Sequence, residues 1–174
     1  MVTMKKSFYI GIDIGILGAI SIEDKGVLTT HKMPLIGKEV DYHEIHRILE
    51  PYEGGNGIVV FEKLGQIFNT SKAVAFSMGY QAGAVEMVCI ARSIPYTKVT
   101  AKDWQKEMFT GVDNMVKKSN LAKSGETRDT KGMALIAVKR LLPTLKLTFG
   151  EKATKPHDGL IDSVLMVEYA KRKF

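Results

Sequence analysis

Four carboxylates, Asp13, Glu62, Asp158 and Asp162, stand at positions that folding alone explains poorly. Asp13 interrupts the apolar run Tyr9-Ile10-Gly11-Ile12-Asp13-Ile14-Gly15, and Glu62 ends another, Ile58-Val59-Val60-Phe61-Glu62. Asp158 and Asp162 have the i,i+4 spacing that places two side chains on one helix face, about 6 Å apart along the axis. Desolvating a charge is expensive unless it is paired. Several carboxylates drawn to one point repel each other unless a cation binds between them. Hard divalent cations take oxygen ligands, and Mg²⁺ in particular is shared between carboxylates and substrate phosphates. Two such ions about 3.5–4 Å apart serve an in-line displacement at phosphorus.

Each acid has a plainer explanation by itself. Asp13 in Asp-x-Gly could shape a turn, Glu62 could be a solvated strand end, and Asp158 could answer a helix dipole. Four in this order, on elements able to converge, point to a metal site.

The elements must then bring them together. Residues 7–14 read as a strand, with Ile10, Ile12 and Ile14 on one face and Gly11 and Asp13 on the other. Residues 18–23 and 27–33 read as two more strands, joined by a hairpin turn at Asp24-Lys25-Gly26. Asp41 caps a helix to about residue 50, with Glu44 completing a capping-box pattern and Ile45, Ile48 and Leu49 as its apolar stripe. A strand over 58–62, a long apolar helix over about 70–92, a strand over 95–100 and a short helix from Ala101 to Phe109 follow. Residues 110–129 are polar and read as a mobile loop. A helix over about 130–142 stops before Pro143, and the last begins near Pro156. The order predicts a mixed α/β sheet with helices packed on it. If the strands of Asp13 and Glu62 are neighbours, their side chains meet on one face, and the last helix laid across the first strand closes a four-carboxylate pocket.

The bulk numbers bound this reading. A chain of 174 residues, 45% hydrophobic and 25% charged, is most simply one globular domain over 1–174. The net charge of +6 favours polyanionic partners. The single cysteine, Cys89, rules out an intrachain disulfide, reads as a buried small hydrophobe and fits a reducing, cytoplasmic setting. No apolar run approaches spanning length, and the start lacks the apolar segment of a signal peptide, so no membrane is expected.

Taken together, Gly11-Ile12-Asp13-Ile14-Gly15-Ile16-Leu17-Gly18-Ala19, Val60-Phe61-Glu62-Lys63 and His157-Asp158-Gly159-Leu160-Ile161-Asp162-Ser163-Val164-Leu165-Met166 resemble the RuvC-like Holliday junction resolvases, closest to their bacteriophage branch. Ala101-Lys102-Asp103-Trp104-Gln105 and Asp129-Thr130-Lys131-Gly132 add to the likeness, which spans about residues 7–172. The resemblance implies a ribonuclease H-like five-stranded mixed sheet flanked by helices. It implies Asp13, Glu62, Asp158 and Asp162 as catalytic ligands of two Mg²⁺ ions, with Mn²⁺ able to substitute. It also implies a homodimer that cuts branched DNA in the host cytoplasm, with no nucleotide cofactor. Bacterial RuvC spaces its last acidic pair three apart and this chain four; both spacings keep one helix face. His157 reads either as a group supporting the acids or as a solvated helix start.

The DNA contacts expected are Lys63 and Phe68 beyond Glu62, Lys102 and Lys106 (with Lys98 nearby) on the short helix, and Lys117, Lys118, Lys123, Arg128 and Lys131 in and after the polar loop. Phe68 could equally cap the core. Trp104 reads as a core residue rather than a stacking one. In the long helix, Gly79 and Gly83 would permit close approach, at a dimer interface or against the sheet. An actin-like or sugar-kinase ATPase shares Asp-x-Gly-x-x-Gly, but needs a second domain and leaves the terminal acids unexplained. A junction-binding module without catalysis would lack one or more of the acids. A nuclease of broader branched DNA or of RNA–DNA hybrids stays open.

Overall fold

The computed structural model describes residues 6–65, 71–120, 122 and 124–174. Its centre is a five-stranded mixed sheet in the order β3-β2-β1-β6-β7. Strands β1 (Phe8–Asp13), β2 (Ala19–Asp24) and β3 (Val27–Lys32) form an antiparallel meander. Lys25 and Gly26 both take positive φ, 49° and 84°, the geometry that joins two twisted strands by a two-residue turn. A small ribbon of β4 (Leu35–Ile36) and β5 (Glu39–Val40), unforeseen from sequence, leads into helix α1 (Tyr42–Leu49). Asp41 caps α1 by accepting from Glu44 N–H at 3.0 Å. The reciprocal half of the expected capping box is missing, because Asp41 N–H donates to Pro34 O and Glu44 pairs with Arg47 instead.

Strand β6 (Gly57–Glu62) runs parallel to β1, and β7 (Tyr96–Val99) parallel to β6. Helix α2 (Lys72–Ala91) connects them; α3 (Ala101–Met108) follows β7. The polar stretch expected as a loop holds a short hairpin, β8 (Val116–Lys118) paired with β9 (Glu126–Arg128). Three residues per strand, all exposed, give too short an alternation for the pattern to show in sequence. Helices α4 (Thr130–Leu141) and α5 (Asp158–Lys173) complete the chain.

Alternation along β1 splits the core in two. Phe8, Ile10 and Ile12 face α1 and the end of α2, together with Cys89, whose thiol burial pushes up to about 12. Tyr9 and Val60 face α3, α4 and α5, and Trp104 of α3 lies in the same cluster as the core residue expected. Helix α5 lies directly on β1. A Cβ at Gly11 would stand 2.1 Å from Ser163 O and 2.9 Å from Val167 N, so only glycine permits that approach. The buried hydroxyls of Ser21 and Ser163, 2.7 Å apart, tie α5 to β2 as well.

Helix α2 corrects two expectations. Its 20 residues are long and apolar enough to cross a membrane by length and composition. Glycine, serine, glutamine and tyrosine break up the run by eye without making it polar. Val85, Val88 and Cys89 are nevertheless packed in the core, and Glu86 bonds Tyr96 and Lys98, so this end belongs to the folded domain. Gly79 and Gly83 do not pack against the sheet; among the described residues nothing lies within 4 Å of a Cβ at either.

Candidate active site

Asp13 and Glu62 are the next residues after the paired Ile12 and Phe61 on the neighbouring parallel strands β1 and β6. Both therefore end their strands side by side on the face covered by α5. The turn after Asp13 is closed by Gly18 N–H donating to Gly15 O at 2.9 Å. Glycine is required where α5 begins: a Cβ at Gly159 would stand 2.8 Å from Asp13 Oδ2 and 2.5 Å from Leu17 O. His157 caps α5, its Nδ1 accepting from Leu160 N–H at 3.1 Å while its ring meets Phe149 edge-on at 5.0 Å. Burial holds its imidazole below the usual range, with Lys32 adding to the effect. His157 thus sets where the helix carrying Asp158 and Asp162 begins.

The electrostatics record the convergence. Burial, and after it Asp162, Glu62 and Asp158 in that order, raise the Asp13 carboxyl to about 8, with Lys131 opposing them. Asp162 is raised to about 7 by burial and then by Glu62 and Asp158. Burial also raises Glu62, and Trp104 partly opposes this. Asp158, about half exposed, turns to Lys131, whose Nζ lies 2.5 Å from Oδ2. That carboxylate, followed by Asp162 and Asp13, holds the Lys131 ammonium above its usual range.

The four acids therefore sense one another but do not form the closed pocket expected. Among the described residues, no three His, Cys, Asp or Glu side chains are grouped so as to hold an ion. Of the four, Asp158 is the one with a lysine partner among the described residues, Lys131. The donor chemistry still suits a hard cation: several oxygen ligands at one end of the sheet, two of them in surroundings that penalise their charge.

A cleft of about 570 Å³ opens beside Asp13 and Glu62, walled by Ile14, Leu17, Leu64 and Met78. A second, about 320 Å³, lies at the start of α5, with Lys117, Lys131 and Lys155 around Asp129 and Asp158. Lys155 was not anticipated. It precedes Pro156 in a segment with no periodicity, and only the fold sets it beside Lys117.

The other expected contacts divide. Lys63, Lys102, Lys106 and Lys118 are exposed. Lys117 reaches Asp129 at 3.4 Å, and Lys98 is held by Glu86 at 2.9 Å. Arg128 lies over the Phe109 ring at 5.7 Å, part of the hairpin's seat on the core. Phe68 and Lys123 lie outside the described residues.

No protein-family model matches this sequence, and no curated protein does. Solved structures do. RuvC of Thermus thermophilus is 18% identical, with 95% of each chain covered and a TM-score of 0.51. T. thermophilus RuvC in complex with a Holliday junction substrate is 18% identical, with 92% of this chain and 89% of that one covered and a TM-score of 0.52. The chain has the RuvC-like, ribonuclease H-like fold.

Proposed function

We propose that this chain is a divalent-metal-dependent, structure-selective endonuclease that resolves four-way DNA junctions by paired phosphodiester hydrolysis. The observation carrying the reading is the mutual electrostatic coupling of Asp13, Glu62, Asp158 and Asp162 at one end of a RuvC-like sheet. The junction complex of the similar T. thermophilus protein supports branched DNA as substrate.

Asp13, Glu62, Asp158 and Asp162 would hold the ions. Two Mg²⁺, or Mn²⁺ in their place, would supply charge neutralisation, activation of water and stabilisation of the leaving oxygen. The protein's own contribution is placement. The strand ends hold Asp13 and Glu62 side by side, and α5 delivers Asp162 from above. Burial keeps the acids in a low-dielectric setting where their charge acts strongly. Lys131, the partner of Asp158, would be free for a backbone phosphate were a cation to take that carboxylate. Lys63, Lys102, Lys106, Lys117, Lys118 and Lys155 supply exposed or cleft-lining positive charge around the acids for the DNA backbone. Water adds to phosphorus in line, leaving a 5′-phosphate and a 3′-hydroxyl.

Two opposed nicks in a two-fold junction suit a C2 dimer. The outward face of α2 is the surface proposed for it, with Phe76 76% and Tyr80 61% exposed and glycines open to close approach.

A cleavage assay with Mg²⁺ on a mobile four-way junction, a fork, an RNA–DNA hybrid and a linear duplex tests the reading. Preferential, symmetric cutting of the junction is expected. Cutting of the hybrid alone, or of nothing, overturns it.

A further inference from the structure

The acids open onto two clefts of different character. The smaller, about 320 Å³, gathers Lys117, Lys131 and Lys155 beside Asp158. The larger, about 570 Å³, is lined by Asp13 and Glu62 and, among the described residues, by no other charged side chain. A phosphate has nothing to bind there and two carboxylates to repel it.

The fold explains why the larger cleft is apolar. Val74, Met78, Gln81, Val85 and Val88 follow one stripe of α2 at helical spacing. Val85 and Val88 are buried in the core, whereas Val74 and Met78 are exposed and line the cleft. The stripe that seats the helix therefore runs out over open space. The turn after β1 supplies another wall. Gly15 takes a φ of 142°, which residues with side chains rarely adopt, and the next two residues, Ile16 and Leu17, are exposed apolar side chains of the same cleft. One polar group is fixed among them. Gln81 Nε2 donates to Ser77 Oγ at 2.9 Å, which holds the amide in place and leaves its carbonyl oxygen and second N–H as a hydrogen-bonding edge. Apolar walls with one oriented polar group are the form of a site for a flat organic ligand. A nucleotide joins the two chemistries that flank the acids, an anionic phosphate and a base with a polar edge. Taking a base out of a continuous duplex is costly, but the centre of a branched DNA already interrupts the stack.

We propose that the larger cleft receives one unstacked nucleobase of the strand being cut, held between the turn after β1 and α2 and read at its edge by the Gln81 amide. The proposal rests on branched DNA being the substrate, and it makes Gln81 a specificity-determining residue. The probe is 2-aminopurine, whose fluorescence rises on unstacking, placed in turn at each nucleotide around the exchange point of a four-way junction. Native protein in chelator should brighten it severalfold at one position and leave positions within the arms unchanged. Leu17→Ser with Met78→Ser should lose most of that rise at saturating protein; both side chains lie at the surface, and a thermal melt checks the fold. With Mg²⁺, native cutting rates should differ by about fivefold or more among the four bases at that position, the lower end for an amide pairing with a base edge. Gln81→Leu should bring them within about twofold of one another. A bound junction with no bright position overturns the proposal, as does a rise that survives the double variant or a base preference that survives Gln81→Leu. Protection of Leu17→Cys from a thiol reagent by dimerisation alone would assign the cleft to a second copy of the chain and overturn it equally. If the probe responds but Mg²⁺ brings no cutting, the base site stands and the nuclease reading falls; selective cutting with a silent probe means the reverse.

Discussion

Asp13 costs the metal-free protein stability, because its surroundings resist its charge. Its carboxyl is raised, not depressed, so the folded chain binds that proton more tightly than the unfolded chain does. Between the ordinary carboxylate range and about 8, the folded state then holds more protons, and stability falls as pH rises through that window. Asp162, raised to about 7, adds the same sign over a narrower range. In chelator, the melting temperature should fall from pH 5 to pH 8. Asp13→Asn should flatten that slope and raise the melting temperature at pH 8 by several degrees. Mg²⁺ should stabilise the native protein more than the variant. Equal slopes in the two proteins would show that Asp13 is not held against its charge. The same variant should lose Mg²⁺-dependent cutting while still binding junctions in a gel-shift assay; undiminished cutting would remove Asp13 from the site. In the sequence, Asp13 and Glu62 stand out because each interrupts or ends an apolar run, and Asp158 and Asp162 because of their i,i+4 spacing. The turn of Asp158 toward Lys131 has no such mark, since residues 27 positions apart share no local signal.

At the level of elements, the contact of α5 with β1 decides whether the acids meet. Gly11→Ala should force the helix off the strand, because its Cβ would collide with the Ser163 carbonyl. Overpacking of this kind costs about 1–3 kcal/mol, read as a melting-temperature drop of several degrees; an unchanged melt would mean that α5 shifts freely. The β8–β9 hairpin is the other decisive element. Lys117→Glu with Lys118→Glu should weaken junction binding and flatten the dependence of log K on log salt by about two phosphate contacts' worth, near 1.8. An unaltered slope would take the hairpin out of the DNA surface. Among the described residues, the main strands and the α-helices α1 to α5 were readable from alternation, caps and glycine turns. The β4–β5 ribbon and the hairpin were not, because pairs of two or three residues form too little periodicity to register.

For the whole molecule, the exposed apolar face of α2 is a feature the single chain leaves unexplained. Phe76, Tyr80, Met87 and Ile90 stand exposed along a helix whose C-terminal half also packs Val85, Val88 and Cys89 into the core. If two copies pair through this face, Phe76→Glu should halve the mass measured by light scattering and suppress paired cutting while leaving the monomer's melt intact. A dimer that persists places the interface elsewhere. The positive charge is distributed to match: Lys117, Lys131 and Lys155 gather beside α5, so a net charge spread over the sequence becomes a local surface near the acids.

Local chemistry is written in the chain itself. Apolar alternation, capping residues and turn glycines specify strands and helices through steric and hydrogen-bond rules that act over a few residues, and acids placed against those patterns mark the site. Tertiary structure alone decided how far the acids are buried, which lysine neutralises which of them, and that Lys155 joins them. Those outcomes depend on desolvation and on Coulomb interactions between groups distant in sequence, which exist only once α5 lies across β1.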